Sequence, residues 1–315
     1  MLNSKLGDKM SENILDVAII GGGAAGYTSG IYTAREGLKT VIFEKEMSGG
    51  MTGITGLVEN YPGFPEGISG ACLMEKFKSQ AEKFGVEFEE FTPIEKIEKS
   101  GSLFKLTSED ETYFSKTVII ATGGKPRKVG LEQEDKLFGR GISYCATCDG
   151  PFFKEKNIAV IGGGDSAVQE ALYLTKFSKK VTIIHRRDQL RANKGLQKKA
   201  FNNDKIDFIL DSTIEDILGD VKIEALKLKN KKTGKVSTVH FEGMFVFIGW
   251  IPNTDFLKGF VELNDESYIL TDDNMNTSVK GVYAAGDVRA KSFRQISIAV
   301  GEATTAALSA SEHIG

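Results

Sequence analysis

Two stretches of this chain repeat one pattern: a short apolar strand, a glycine turn, a helix and a second strand. The first runs Asp16-Val17-Ala18-Ile19-Ile20, then Gly21-Gly22-Gly23-Ala24-Ala25-Gly26, a helix over 27–36, and Thr40-Val41-Ile42-Phe43 ending in Glu44. The second runs Asn157-Ile158-Ala159-Val160-Ile161, then Gly162-Gly163-Gly164-Asp165-Ser166-Ala167, a helix over 168–177, and Val181-Thr182-Ile183-Ile184 ending in His185-Arg186-Arg187. Glu44 lies 23 positions after Gly21, and His185 lies 23 positions after Gly162. Two copies of one dinucleotide-binding unit follow. The glycines allow a tight turn and let a pyrophosphate approach the helix N-terminus.

The predicted class is therefore α/β, with two Rossmann-like dinucleotide-binding domains. The copies differ at the end of their second strand. A carboxylate there accepts hydrogen bonds from a ribose 2′-hydroxyl and repels a 2′-phosphate, which suits Glu44 to an unphosphorylated ribose. Arg186, Arg187 and, four residues on, Arg191 offer charge-assisted bidentate bonds to a 2′-phosphate. The second copy is thus expected to take NADPH, with His185 as a ribose contact.

Between the copies lies Cys145-Ala146-Thr147-Cys148-Asp149-Gly150. Three residues along a helical turn bring the two sulfurs onto one face, where a disulfide can close. Zinc is the competing use and needs four ligands. The chain adds only Cys72 and the histidines His185, His240 and His313, none at ligand spacing. The pair is predicted to be redox-active, with no metal. Cys72, alone in a helical stretch, reads as a buried, inert thiol.

Composition narrows the classes. At 315 residues with 41% hydrophobic side chains, the chain can bury a large core or two ordinary ones. A net charge of −3 gives no basic nucleic-acid surface. No apolar run is long enough for a membrane span. Residues 1–13 are polar, lack an apolar signal core and are expected to form a loose tail, with Met10 as an alternative start. Three cysteines do not make a secreted disulfide framework, so the expected location is the cytoplasm.

Other segments read more coarsely. Thr117-Val118-Ile119-Ile120-Ala121-Thr122-Gly123 and Gly281-Val282-Tyr283-Ala284-Ala285-Gly286-Asp287 resemble strands feeding glycine turns. Small residues there allow a flat cofactor to lie close, and Asp287 can bond a polyol hydroxyl, although such turns are also common structural elements. An amphipathic helix is expected over 69–84, a hairpin over 104–107 and 111–114, and strands over 207–210, 222–228 and 236–241. An alanine-rich helix follows Arg294-Gln295-Ile296 and ends near His313.

In order along the chain stand Gly21-x-Gly23-x-x-Gly26, Glu59-Asn60-Tyr61-Pro62-Gly63, Cys145-Ala-Thr-Cys148-Asp149-Gly150 and Gly162-x-Gly164-x-x-Ala167. His185-Arg186-Arg187-Asp188-x-x-Arg191-Ala192, Gly286-Asp287 and Arg294-Gln295 complete the series. Over nearly its whole length the chain resembles the low-molecular-weight thioredoxin reductases. The resemblance implies FAD in the first unit and NADPH in the second. It also implies a homodimer, and an FAD domain split into residues 1–122 and 254–315 around an NADPH domain at 123–253.

The resemblance further implies site residues. FAD contacts would come from Gly21, Gly23, Ala24, Ala25, Gly26, Glu44, Gly50, Met51 and Asn60. Ala121, Thr122, Gly123, Gly286, Asp287, Arg294, Gln295 and Ile296 would complete them. NADPH contacts would come from Gly162, Gly164, Asp165, Ser166, Ala167, His185, Arg186, Arg187 and Arg191. Cys148 would face the flavin, Cys145 would attack thioredoxin and Asp149 would serve as general acid/base. Met51 stands where many members carry Gln, in a stretch (52–56) that also departs from the usual run.

Electrons would pass from NADPH to FAD, then to the disulfide, then to thioredoxin by thiol exchange. The inserted domain would rotate between two arrangements, hinged near 123–124 and 249–253. A reductase of the same type for another acceptor (a glutaredoxin-like protein or a peroxidase) is an open alternative. So is one with another donor, such as ferredoxin.

Overall fold

Strand Ile14–Ile20 and its neighbours are buried nearly throughout, as apolar runs between helical layers must be. The computed structural model describes residues 14–315 apart from 47, 56 and 110, so the expected tail over 1–13 lies outside the described residues. The chain forms two compact units, one of residues up to 125 together with 251–315, the other of 126–250.

In the first unit the sheet order is Glu87–Glu89, Thr40–Phe43, Ile14–Ile20, Thr112–Ile120, Leu103–Thr107, Lys96–Ser100. Val282–Ala284 pairs in parallel with the end of Thr112–Ile120, placing Tyr283 beside Ile119. The expected hairpin is present, but its second strand does not stop. It pairs antiparallel with Leu103–Thr107 at one end and parallel with Ile14–Ile20 over most of its length. One continuous strand therefore carries the chain from the hairpin to Ala121.

The first-fingerprint helix, Ala24–Arg35, starts within the motif rather than at 27. Gly23 is its N-cap and provides no side-chain cap, which hides the start from sequence inspection. The C-terminal helix Ile296–Ile314 buries Ala303, Ala306, Ala307 and Ala310. Its small side chains let it approach closely, and Ser29 Oγ donates to the Ala303 carbonyl at 3.3 Å. Between these elements the amphipathic helix Gly70–Lys83 is capped by Ser69, whose Oγ accepts from Cys72 N. Cys72 lies in the helix's first turn, off the face that buries Leu73 and Met74, and is exposed rather than buried as expected.

The second unit holds a parallel sheet in the order Ile142–Ser143, Gly243–Val246, Asn157–Ile161, Lys180–Ile184, Ile206–Ile209. Its helix Asp165–Leu174 is again N-capped by a glycine, Gly164. An antiparallel sheet of Ser212–Leu218, Ala225–Asn230 and Val236–His240 is added to it. The strand Ser212–Leu218 was not legible in the sequence. A register shift between Ile214 and Asp216 breaks its alternation.

Each glycine turn is fixed by backbone proximity. A Cβ on Gly26 would overlap the Gly21 carbonyl oxygen, whereas one on Gly23 would meet nothing within 4 Å. Gly26→Ala is therefore expected to cost about 3 kcal/mol of stability by overpacking. Gly23→Ala should cost about 1 kcal/mol or less. Chemical denaturation of the two variants tests this ordering.

Candidate functional site

In the first unit the fingerprint turn gathers distant parts of the chain. Gly21, at φ 110°, lies against the Ala121 carbonyl and leaves no room for a side chain. Gly49 N donates to the Gly22 carbonyl at 2.7 Å, and a Cβ on Gly50 would sit 3.4 Å from Gly23 Cα. Gly22 N donates to Glu44 Oε2 at 2.7 Å, and Lys45 N to Glu44 Oε1 at 2.7 Å. The Glu44 carboxylate is thus pinned at the strand end beside the turn, where the spacing placed it.

The C-terminal segment closes on the same turn. A Cβ on Gly286 would come within 3.0 Å of Ala25 Cβ, so Gly286-Asp287 packs against the first-fingerprint helix. Asn60 Nδ2 donates to Gln295 Oε1 at 3.1 Å, joining two expected contacts far apart in sequence. Arg294 lies over the Tyr268 ring, 4.4 Å from its centroid. Thr122 Oγ1 donates to the Asn253 carbonyl, and Asn253 Nδ2 donates back to the Thr122 carbonyl, both at 2.8 Å.

A charge cluster absent from the sequence reading fixes Asp287. Lys291 Nζ lies 3.1 Å from both Asp287 Oδ1 and Glu302 Oε2. Arg289 Nη1 meets Glu302 Oε1 at 2.7 Å, and Gly286 N donates to Glu302 Oε2 at 2.9 Å. Burial raises the Asp287 carboxyl above the ordinary aspartate value, against the pull of Lys291 and Arg294. Only the i,i+4 spacing of Asp287 and Lys291 hinted at this; Glu302 arrives from the C-terminal helix.

In the second unit a cavity of about 270 Å³ opens at the fingerprint. Gly162, Gly163, His185, Arg186 and Arg191 line it, joined by Arg127, Ser212 and Thr213, which the sequence did not single out. Arg187 does not line it; its carbonyl accepts from Asp211 N at 3.0 Å. Arg191 is held there by its backbone, since Arg191 N donates to the Gly163 carbonyl at 2.6 Å. Asp165, at the start of the fingerprint helix, accepts from Asn193 N at 2.6 Å and so anchors the segment after Arg191.

The His185 ring lies over Gly163, at the place a Cβ there would occupy. His185 is 5% exposed, and its Nε2 has no hydrogen-bond partner among the described residues. Burial, with Arg191, Arg187 and Arg186 nearby, lowers its pKa, so the ring is neutral near pH 7. A buried, unmatched nitrogen beside two exposed guanidinium groups fits a phosphorylated ribose. In the first unit, open space at Gly23, a pinned carboxylate and an Asp287 turn against Ala25 fit a second dinucleotide.

Cys145 and Cys148 form a disulfide with Cα atoms 5.3 Å apart. Cys145 caps the short helix Ala146–Asp149, and its Sγ accepts from Cys148 N at 3.2 Å. That amide would stabilise a thiolate once the bond is reduced. Burial raises the Asp149 carboxyl above its ordinary value, and a hydrogen bond from Ser143 partly offsets the rise. The acid form of Asp149 therefore persists to higher pH than an exposed aspartate's. Among the described residues no three His, Cys, Asp or Glu side chains group as a metal site.

Glu302→Ala would take the carboxylate from Arg289 and leave Lys291 with Asp287 alone, in a region where the lost side chain was only 11% exposed. A loss of about 3 kcal/mol is expected for breaking such a buried pairing. Thermal unfolding measures it, and an unchanged midpoint would show the cations finding other anions.

Residues 15–303 match the family model described as pyridine nucleotide-disulphide oxidoreductase. A thioredoxin reductase of Peptoclostridium acidaminophilum is 46% identical over 310 residues, covering 96% of this chain and 98% of that protein. One from Listeria monocytogenes is 45% identical, covering 96% of this chain and 95% of the relative. The crystal structure of thioredoxin reductase from Streptococcus pyogenes superposes with a TM-score of 0.92 at 46% identity, covering 96% and 98% of the two chains. The chain belongs to the pyridine nucleotide-disulphide oxidoreductase family.

Proposed function

We propose that this chain is an NADPH-dependent thioredoxin reductase, a flavoprotein that uses FAD. The observation that carries the reading is the Cys145–Cys148 disulfide in the unit that also holds the arginine-lined dinucleotide cavity. Relatives that are thioredoxin reductases match over almost the whole chain. The same cavity favours a pyridine nucleotide with a 2′-phosphate over ferredoxin as donor.

The residues take roles according to their chemistry. Arg186 and Arg191 hold the 2′-phosphate, and Arg187, whose charge also acts on His185, adds to the positive field there. His185, neutral and buried, offers Nε2 to the same group. Gly162, Gly164, Asp165, Ser166 and Ala167 form the turn and helix start that receive the pyrophosphate. For FAD, Gly21, Gly23, Ala24, Ala25 and Gly26 do the same, and Glu44 accepts from ribose hydroxyls. Gly50, Met51, Asn60, Ala121, Thr122 and Gly123 line the path from that turn. Gly286, Asp287, Arg294, Gln295 and Ile296 close it from the C-terminal side. When bound, the cofactors supply a hydride and a two-electron relay to sulfur.

The protein's own chemistry is thiol exchange. The Cys145 thiolate attacks one sulfur of the thioredoxin disulfide, and the other leaves as a thiolate that takes a proton. Cys148 then attacks Cys145 Sγ, re-forming the enzyme disulfide and releasing the second thioredoxin sulfur. Two electrons and two protons pass from the dithiol to thioredoxin. Asp149 holds the proton that this exchange moves.

A homodimer, a cytoplasmic location and rotation of the inserted domain about hinges near 123–124 and 249–253 belong to the same proposal. Among the described residues no helix is long and apolar enough to cross a membrane.

Arg186→Ala is expected to weaken NADPH binding by about 1.5–3 kcal/mol, the range for bonds to charged groups, and NADH binding hardly at all. Titration of both coenzymes decides it, since equal losses would mean that this arginine does not read the phosphate. Cys148→Ser should abolish thioredoxin reduction while NADPH still bleaches the flavin. Turnover at the parental rate would remove the disulfide from the electron path.

A further inference from the structure

Ser143 lies two residues before the disulfide, on the edge strand Ile142–Ser143 of the second unit's parallel sheet. That strand pairs with Gly243–Val246, matching Ser143 with Phe245, and Ser143 is only 1% exposed. A hydroxyl buried on a paired strand does not drift. Its Oγ accepts from Cys145 N at 3.0 Å and donates to Asp149 Oδ2 at 2.5 Å. The Cys145 carbonyl is also within 3.3 Å. One side chain therefore joins the attacking cysteine's backbone to the carboxyl at the far end of the disulfide helix.

We propose that Ser143 is a positioning residue that fixes the Asp149 carboxyl against the Cys145 backbone during thiol exchange with thioredoxin. The inference rests on the thioredoxin reductase reading above and on Asp149 as its proton carrier. A short helix of four residues, Ala146–Asp149, has too few internal bonds to hold a carboxyl in one place unaided. The bond from Ser143 connects it to the sheet instead. Through the same hydroxyl, any shift of Cys145 on opening the disulfide is felt at Asp149.

The bond also has an electrical consequence. A donor aimed at Oδ2 stabilises the carboxylate and so opposes the effect of burial. Around Asp149 the other charged groups are few. The helix packed on it, Asp165–Leu174, carries Asp165, engaged with Asn193, and Glu170, whose own carboxyl is raised by burial. The turn Gly150–Phe153 and the strands Ile142–Ser143 and Gly243–Val246 carry no charged side chain. Removing the Ser143 hydroxyl must therefore raise the Asp149 pKa, because burial then acts unopposed.

The test uses flavin-loaded holoenzyme, reduced with NADPH and mixed with oxidised thioredoxin across a pH range in single-turnover mode. Asp149→Asn first identifies the limb of the pH profile that belongs to Asp149, by abolishing it. Ser143→Ala is expected to slow the exchange about tenfold, part of what a placed acid/base group contributes, and to move that limb to higher pH. Ser143→Thr, which keeps the hydroxyl, should return both towards the parent. A general loosening of the structure would lower the rate without moving the limb. A limb left in place by Ser143→Ala, or moved equally by Ser143→Thr, overturns the proposal. So does a limb that survives Asp149→Asn. If the parent enzyme itself fails to reduce thioredoxin, the functional reading falls first and this inference with it.

Discussion

Both units depend on one constraint: a strand must turn into a helix so tightly that a phosphate can reach the helix's first amides. In each copy the turn is pressed against the carbonyl of a neighbouring strand's end, Ala121 in the first unit and Phe247 in the second. No side chain fits there, and none fits between Gly26 and the Gly21 carbonyl. Neither helix has a side-chain cap. Free amides at an uncapped helix start are what an anion can satisfy, so the local geometry anticipates a ligand.

Around those turns the two units use different means to place their functional groups. The first binds its Gly286-Asp287 turn with a nearly buried set of charges in which Glu302 serves Arg289, Lys291 and the Gly286 amide. Buried charge is costly unless every partner is matched, and here one carboxylate answers three donors. The second unit relies on backbone. The Gly163 carbonyl receives both Arg191 N and Ala192 N, which brings an exposed arginine to the cavity by its backbone.

The disulfide sits on a helix too short to be rigid by itself. Its order comes from both sides: Cys145 Sγ accepts the Cys148 amide, and Ser143 binds the Cys145 amide and the Asp149 carboxyl. Burial keeps Asp149 protonated to higher pH than water would. The Asp149 carboxyl and the Cys145 sulfur are thus held by the same few bonds.

Spacing and residue chemistry alone determined the two fingerprints, the acidic and basic strand ends, the redox pair and the α/β class. These signals are local: each lies within about thirty residues, where chain geometry leaves few choices. Element starts inside the glycine runs were hidden, because glycine caps carry no side-chain signature. The bulged strand Ser212–Leu218 was hidden because its alternation breaks. Only the tertiary structure decided that Glu302 reaches Gly286, that Asn60 meets Gln295, that Arg191 rather than Arg187 lines the cavity, and that Ser143 links Cys145 to Asp149. Such pairings depend on which side chains share a buried space once the sheets and helices have packed, and no spacing along the chain encodes that.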